Sequence, residues 1–125
     1  MQKKNVSFTL DDLFSLQAAF YSIFRNAIRL KILWFLGKGE KSVSEIADYV
    51  GVSMSNISQH LRIMKDRRIV KSRKEGQRIY YRITNEKFRQ GPALVRKGVI
   101  EVYNLDAEKI QKALSSQGLQ EKKGN

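Results

Sequence analysis

The stretch Ser42–Ile83, SVSEIADYVGVSMSNISQHLRIMKDRRIVKSRKEGQRIYYRI, changes its hydrophobic period partway along, and that change decides the fold. Ser42 with Glu45 three residues on has the form of a capping box. Ile46, Ala47 and Val50 then supply the apolar stripe of a short helix that Gly51 ends. Val43 fits a one-bridge strand just before it. After Gly51-Val52, Ser53 is placed to cap a further helix in which Ile57, Leu61 and Met64 fall on one side. Two helices joined by so short a glycine-containing turn make a helix-turn-helix pattern. From Ile69 the β-branched and aromatic runs IVKSR and RIYYRI flank Lys74-Glu75-Gly76-Gln77, the signature of a hairpin. A helix-turn-helix followed by a hairpin is a winged helix, mainly α with a small β element.

Outward from this core, Thr9 and Asp12 resemble a capping box, and over residues 9–25 the apolar positions cover more than one helical face. A helix with two apolar sides in so small a protein implies a second chain packed on it. Asn26 suits the N-cap of a second helix over residues 27–37, stopped by Gly37 and Gly39. Gly91-Pro92 reads as a break, with Pro92 in the first turn of a new helix. Val95, Val99, Val102, Tyr103 and Ile110 form its stripe, with an interruption near Asn104-Leu105-Asp106 where Asp106 is able to recap it. The polar tail from Ser115 onward is expected to fray. The chain therefore divides into one domain over residues 1–115 and a frayed tail over 116–125, without internal repeats.

At 125 residues and 42% hydrophobic content the chain suffices for a single core. A formal charge of +12 attracts polyanions. Cysteine is absent, which removes disulfides and thiolate metal ligands together. The start, MQKKNVSFTLDD, has no apolar run after its lysines, and no stretch has the length of a membrane span, so a cytoplasmic protein is expected.

On a helical wheel, Ile57, Leu61 and Met64 point one way while Ser55, Gln59 and Arg62 point the other; Ser53, Met54, Asn56 and Ser58 complete the helix's start and shoulder. Small hydroxyls let a helix sit deep in a major groove, Gln can bond adenine, and Arg can reach guanine or phosphate. A merely solvated face would also be polar. Between Arg62 and Arg82, however, nine basic residues stand against two acids, concentrating +7 of the +12 on one ribbon. Arg73, Lys74, Gln77 and Arg78 surround Gly76 at the hairpin end, within reach of phosphates or a minor groove; protection of a strand edge is the other reading of such cations. Tyr80 and Tyr81 alternate, so one is expected in the core and the other outside. His60, the single histidine, lies beside the core stripe and reads as a partly buried, hydrogen-bonded residue, with a phosphate contact second. No nucleophile and base pattern accompanies it, so neither catalysis nor a cofactor is expected.

These motifs together resemble the ArsR/SmtB family of dimeric winged-helix repressors. The resemblance rests on NAIRLKILWFL, on Ser53, Ser55, Ile57, Ser58, His60 and Leu61 in the recognition segment, and on Arg73, Glu75, Gly76, Gln77, Tyr80, Tyr81, Arg82 and Ile83 in the wing. It implies a homodimer formed through the first and last helices, with Leu13, Phe14, Phe20, Tyr21, Val95, Val99, Val102 and Tyr103 at the interface. It further implies binding to palindromic double-stranded DNA operators and release when a metal or other signal arrives. The family's C-V-C metal motif corresponds here to Ser42, Val43 and Ser44, whose hydroxyls are no substitute for thiolates. Its Asp/His site has no counterpart in a last helix carrying Glu101, Asp106 and Glu108 without histidine, and these carboxylates read as a solvated face. The effector stays open: an organic ligand between dimer helices, a protein partner, other chemistry, or none. A non-specific architectural or RNA-binding protein is the alternative function.

Overall fold

The computed structural model describes residues 7–123, with side chains through Ser116. The elements run α1 (Leu10–Ile23), α2 (Ala27–Leu36), β1 (Lys41–Ser42), α3 (Val43–Val50), α4 (Met54–Asp66), β2 (Val70–Glu75), β3 (Arg78–Ile83), α5 (Lys87–Val102) and α6 (Ala107–Lys123). Four helix starts form as their cap residues dictate. Thr9 and Asp12 close a capping box at α1, as do Ser42 and Glu45 at α3, while Asn26 and Ser53 accept the N3 amides of α2 and α4. Val43 does not join a strand, because Ser42 is at once the last residue of β1 and the cap of α3. Gly51 ends α3 with φ of 85°, a left-handed conformation that a Cβ would strain.

The core gathers Ile32, Leu33, Phe35 and Leu36 of α2, Ile46 and Ala47 of α3, and Ile57, Leu61 and Met64 of α4. Ile69 and Val70 seal it from the sheet side. Ile57, Leu61 and Met64 are all 0% exposed, so each contributes on the order of 1.5–3 kcal/mol of burial. The three-stranded antiparallel sheet has the order β1-β3-β2, with Val70 opposite Ile83 and Arg73 opposite Tyr80. The turn is only Gly76-Gln77: β2 continues through Glu75, so Lys74 and Glu75, expected in the loop, are strand residues. The positive φ at Gly76 belongs to the mirror-image turns that match strand twist. Both tyrosines are half-buried; Tyr81 packs against the core, whereas Tyr80 lies under the Arg73 guanidinium.

The C-terminal third departs from expectation at Pro92. Pro92 is not in the first turn of its helix: α5 begins at Lys87, whose amide is accepted by the Asn85 side chain, and Pro92 lies inside. Phe88 explains the early start, since it packs on the core and against Phe20 at 5.3 Å between centroids, which offsets the helix bond lost at Pro92. The interruption expected near Asn104-Leu105-Asp106 is present, and the stripe continues from α5 onto α6. Asn104 takes a left-handed φ of 53° and the Asp106 side chain caps α6 by accepting the Lys109 amide. The last helix, α6, runs Ala107–Lys123, and its Ala, Glu, Lys, Gln and Leu content favours helix. Side chains from residue 117, and residues 124–125 entirely, lie outside the described residues.

Helix α4 ends in a Schellman motif: the Arg68 amide bonds the Lys65 carbonyl and the Ile69 amide bonds that of Met64. The left-handed position is occupied by Arg68, φ 62°, where glycine is usual. Thr84 Oγ1 holds this corner by donating toward the Arg68 and Ile69 carbonyls at 2.7 and 3.0 Å. Replacing Arg68 by Gly removes the Cβ penalty, and is expected to raise unfolding free energy by about 1 kcal/mol in urea denaturation; an unchanged or lower midpoint would contradict the strain.

Candidate nucleic-acid interface

Packing of the Ile57-Leu61-Met64 stripe turns the opposite side of α4 outward. Ser55, Gln59 and Arg62 are exposed there, and so are Met54, Asn56 and Ser58. Ser53 is exposed too, but its hydroxyl is committed: it accepts the Asn56 amide at 3.1 Å and lies 3.2 Å from the Ser55 hydroxyl. Its first task is to start the helix. The outward face thus offers a hydroxyl, a carboxamide and a guanidinium on successive turns, without an aliphatic side chain among them.

His60 sits between this face and the core. Its Nδ1 accepts a hydrogen bond from Arg29 Nε at 3.1 Å, tying α4 to α2, while Arg29 also reaches the Ile23 carbonyl at 3.4 Å. The expected partial burial and hydrogen bond are both present. Burial first, and the adjacent Arg29 charge second, lower the imidazole pKa from its ordinary value.

The hairpin presents two sides. Lys71, Arg73 and Glu75 share one with Arg78, Tyr80 and Arg82. Arg73, expected within reach of phosphates or a minor groove, is also engaged within the chain. It forks onto Glu40, with Nε and one terminal nitrogen each 2.9 Å from a carboxylate oxygen, and bonds Glu75 at 2.6 Å. Its guanidinium carbon lies 4.6 Å from the Tyr80 ring centroid. These carboxylates push the Arg73 pKa up, and the Arg73 hydrogen bond lowers that of Glu40. Arg73 therefore joins the wing to the loop before β1. Lys74, Gln77 and Arg78 are exposed, and among the described residues neither Lys74 nor Arg78 forms an ion pair. Glu40 and Arg29 carried no signal in sequence, because their partners are 33 and 31 residues away.

A second surface lies on α1 and α5. Leu13, Phe14, Tyr21, Val95, Val99, Val102 and Tyr103 are all exposed large hydrophobic residues, Val102 to 79%. Phe20 differs, being turned partly inward onto Phe88. At the positions of the family's thiolate motif, Ser42 is buried as a helix cap and its hydroxyl lies 3.3 Å from that of Ser44. Glu101, Asp106 and Glu108 are exposed, with Asp106 occupied as the cap of α6. Among the described residues no three His, Cys, Asp or Glu side chains converge as a metal site, and no helix is long and apolar enough to cross a membrane.

An α3-turn-α4 unit with an exposed polar helix face beside a basic hairpin defines the winged helix-turn-helix class. The profile for "Bacterial regulatory protein, arsR family" matches residues 26–72. Mycobacterium tuberculosis KmtR, an HTH-type transcriptional regulator, is 38% identical over 80 residues, covering 64% of this chain and 62% of KmtR. Nodulation protein NolR of Rhizobium meliloti is 42% identical over 64 residues, 51% of this chain and 52% of that protein. The chain thus spans 62% and 52% of these two curated relatives. Among solved structures, the homodimeric winged helix-turn-helix DNA-binding domain Mb0332 of Mycobacterium bovis, a possible ArsR-family regulator, superposes with a TM-score of 0.69. It is 32% identical, over 81% of this chain and 94% of that one. NolR from Sinorhizobium fredii gives 0.62 at 30% identity, over 85% of this chain and all of that one. The chain belongs to the arsR family of bacterial regulatory proteins, a family of transcriptional regulators.

The histidine contact has a pH signature. With the folded pKa below the unfolded one, His60 contributes stability that is complete above about 6.5 and is lost as pH falls through the folded value. The urea midpoint is expected to drop on acidification below that point, and His60→Asn, which keeps an acceptor but does not titrate, is expected to flatten this part of the profile. An unaltered profile in the variant would remove His60 as its source.

Proposed function

We propose that this chain is a cytoplasmic, homodimeric repressor of transcription that binds double-stranded DNA sequence-specifically at a palindromic operator. The observation carrying this reading is the exposed Ser55-Gln59-Arg62 face of α4 standing beside the unpaired wing cations Lys74 and Arg78. Base edges are read from the helix, through Ser53 to Arg62, and the sugar-phosphate backbone is gripped from the wing. The exposed apolar side chains of α1 and α5 favour a second copy as partner, and the Mb0332 domain, from a possible ArsR-family regulator, is homodimeric. A dyad placing two α4 helices about 34 Å apart would meet successive major grooves. The neutral hydroxyls of Ser42 and Ser44 argue against metal sensing through the family's thiolate position.

Arg73 enters this reading in an altered role. Held by Glu40 and Glu75, it sets the angle of the wing instead of supplying a free charge to phosphate. Architectural or RNA binding would use the same charge, but neither needs a hydroxyl, a carboxamide and a guanidinium on successive turns of one exposed helix face, which suits groove reading.

Fluorescence anisotropy on a selected operator and on unrelated duplex separates the two roles. Gln59→Ala is expected to narrow the difference between the two DNAs. Arg78→Ala is expected to weaken both about equally and to reduce the log-log salt slope by about 0.9. Failure to find any duplex preferred at least roughly 10³-fold over bulk DNA would favour the architectural reading.

A further inference from the structure

Arg29 fixes more than the position of His60. A ring nitrogen that accepts a hydrogen bond carries no proton, so Arg29 Nε on His60 Nδ1, at 3.1 Å, places the hydrogen of the neutral imidazole on Nε2. That Nε2–H has no acceptor among the described residues, and Arg29 itself serves only His60 and the Ile23 carbonyl, leaving one terminal nitrogen over. Among the described residues the only buried side-chain polar atom without a partner is Trp34 Nε1, so these two donors open to solvent. The Arg29 charge is not neutralised, because both of its acceptors are uncharged. Arg25, which precedes the Asn26 cap of α2, is exposed and forms no ion pair among the described residues. Helix α2 contains no Asp or Glu to answer either cation. Helical spacing sets Asn56 and His60 on one flank of α4 and Ser58 and Arg62 on the other, and the His60 flank is the one that meets the start of α2.

We propose that the His60 Nε2–H and the Arg25 guanidinium form a second phosphate contact, separate from that of the wing, with Arg29 as the positioning residue that fixes the imidazole tautomer. A helix lying in a major groove has a sugar-phosphate strand along each flank, and phosphates accept from neutral donors as well as from cations. His60 stands about 100° round the helix from Gln59, half-buried and tied back to α2, so it meets the edge of the groove and not its floor. An oxygen acceptor bearing negative charge suits a site that offers an uncharged donor beside two unanswered guanidinium groups. The inference rests on the repressor reading in taking duplex DNA as the partner. It adds that backbone grip comes from the body of the domain as well as from the hairpin, so that α4 is held at both flanks.

The test uses the full chain above the ordinary imidazole pKa of 6.5, where His60, with its lowered value, is neutral. A long-range proton-nitrogen correlation spectrum of the single histidine is expected to show the Nε2–H tautomer, and its Nε2 resonance to shift when duplex is added. The Nδ1–H tautomer, or a resonance unmoved at saturation, would overturn the proposal. In anisotropy titrations, His60→Asn keeps an acceptor for Arg29 but has no donor at the Nε2 position. It is expected to weaken bulk duplex and selected operator alike, by at least roughly fivefold, with the salt slope unchanged because a neutral donor displaces no counterion. His60→Gln, whose amide reaches the Nε2 position, is expected to recover most of that loss. Arg25→Ala, at an exposed position that carries the test should the histidine variants fail to fold, is expected to lower the log-log salt slope by about 0.9. Wild-type affinity in both His60→Asn and Arg25→Ala, or a folded His60→Gln no better than His60→Asn, would reduce His60 to a tie between helices and overturn the contact. Bulk duplex needs no operator, so a chain without sequence preference sinks the repressor reading and leaves this contact standing, whereas preference with unaffected variants sinks the contact alone.

Discussion

The interface orientation depends on one contact: the stripe Ile57-Leu61-Met64 of α4 pressed without exposure into the core formed by α2 and α3. A helix is rotated into place by the side it buries, and at helical spacing this leaves Ser55, Gln59 and Arg62 facing away. The α4 terminus is fixed by the same stripe, since Met64 and Ile69 meet across the Schellman corner and launch the chain directly into β2. The wing's position relative to the helix thus follows from hydrophobic packing before any charge is considered.

Electrostatics then divides the basic ribbon into unequal parts. Composition treats Arg73 and Arg78 alike, yet Arg73 is shared between two carboxylates and stacked on Tyr80, while Arg78 is left to solvent. A forked guanidinium-carboxylate pair orients both partners as well as neutralising them. It links the hairpin to the segment before β1, which already pairs with β3 through Lys41 and Ser42. His60 and Arg29 act similarly on the other side, joining α4 to α2 by a hydrogen bond that requires the neutral imidazole.

Legibility followed the range of the interaction. The capping boxes at Thr9 and Ser42, the caps at Asn26 and Ser53, the left-handed Gly51 and the inward stripe of α4 were all readable, because each is set within about four residues. The start of α5 was misread at Pro92 for the opposite reason. Local rules place proline in a first turn, and the pull of Phe88 toward Phe20, sixty-eight residues away, is invisible in the local string. At Arg68 the local signal was weak, since arginine rarely marks a left-handed corner.

By itself the sequence determined the winged helix-turn-helix and the polar face of α4, since periodicity and caps are properties of neighbouring residues in an L-peptide chain. The packing of Phe88 on Phe20, the capture of Arg73 by Glu40 and the seating of His60 on Arg29 were decided only by the tertiary structure. These join groups some 30 or more residues apart, and chain proximity supplies no rule for which distant charge or ring will arrive beside another until the core has packed.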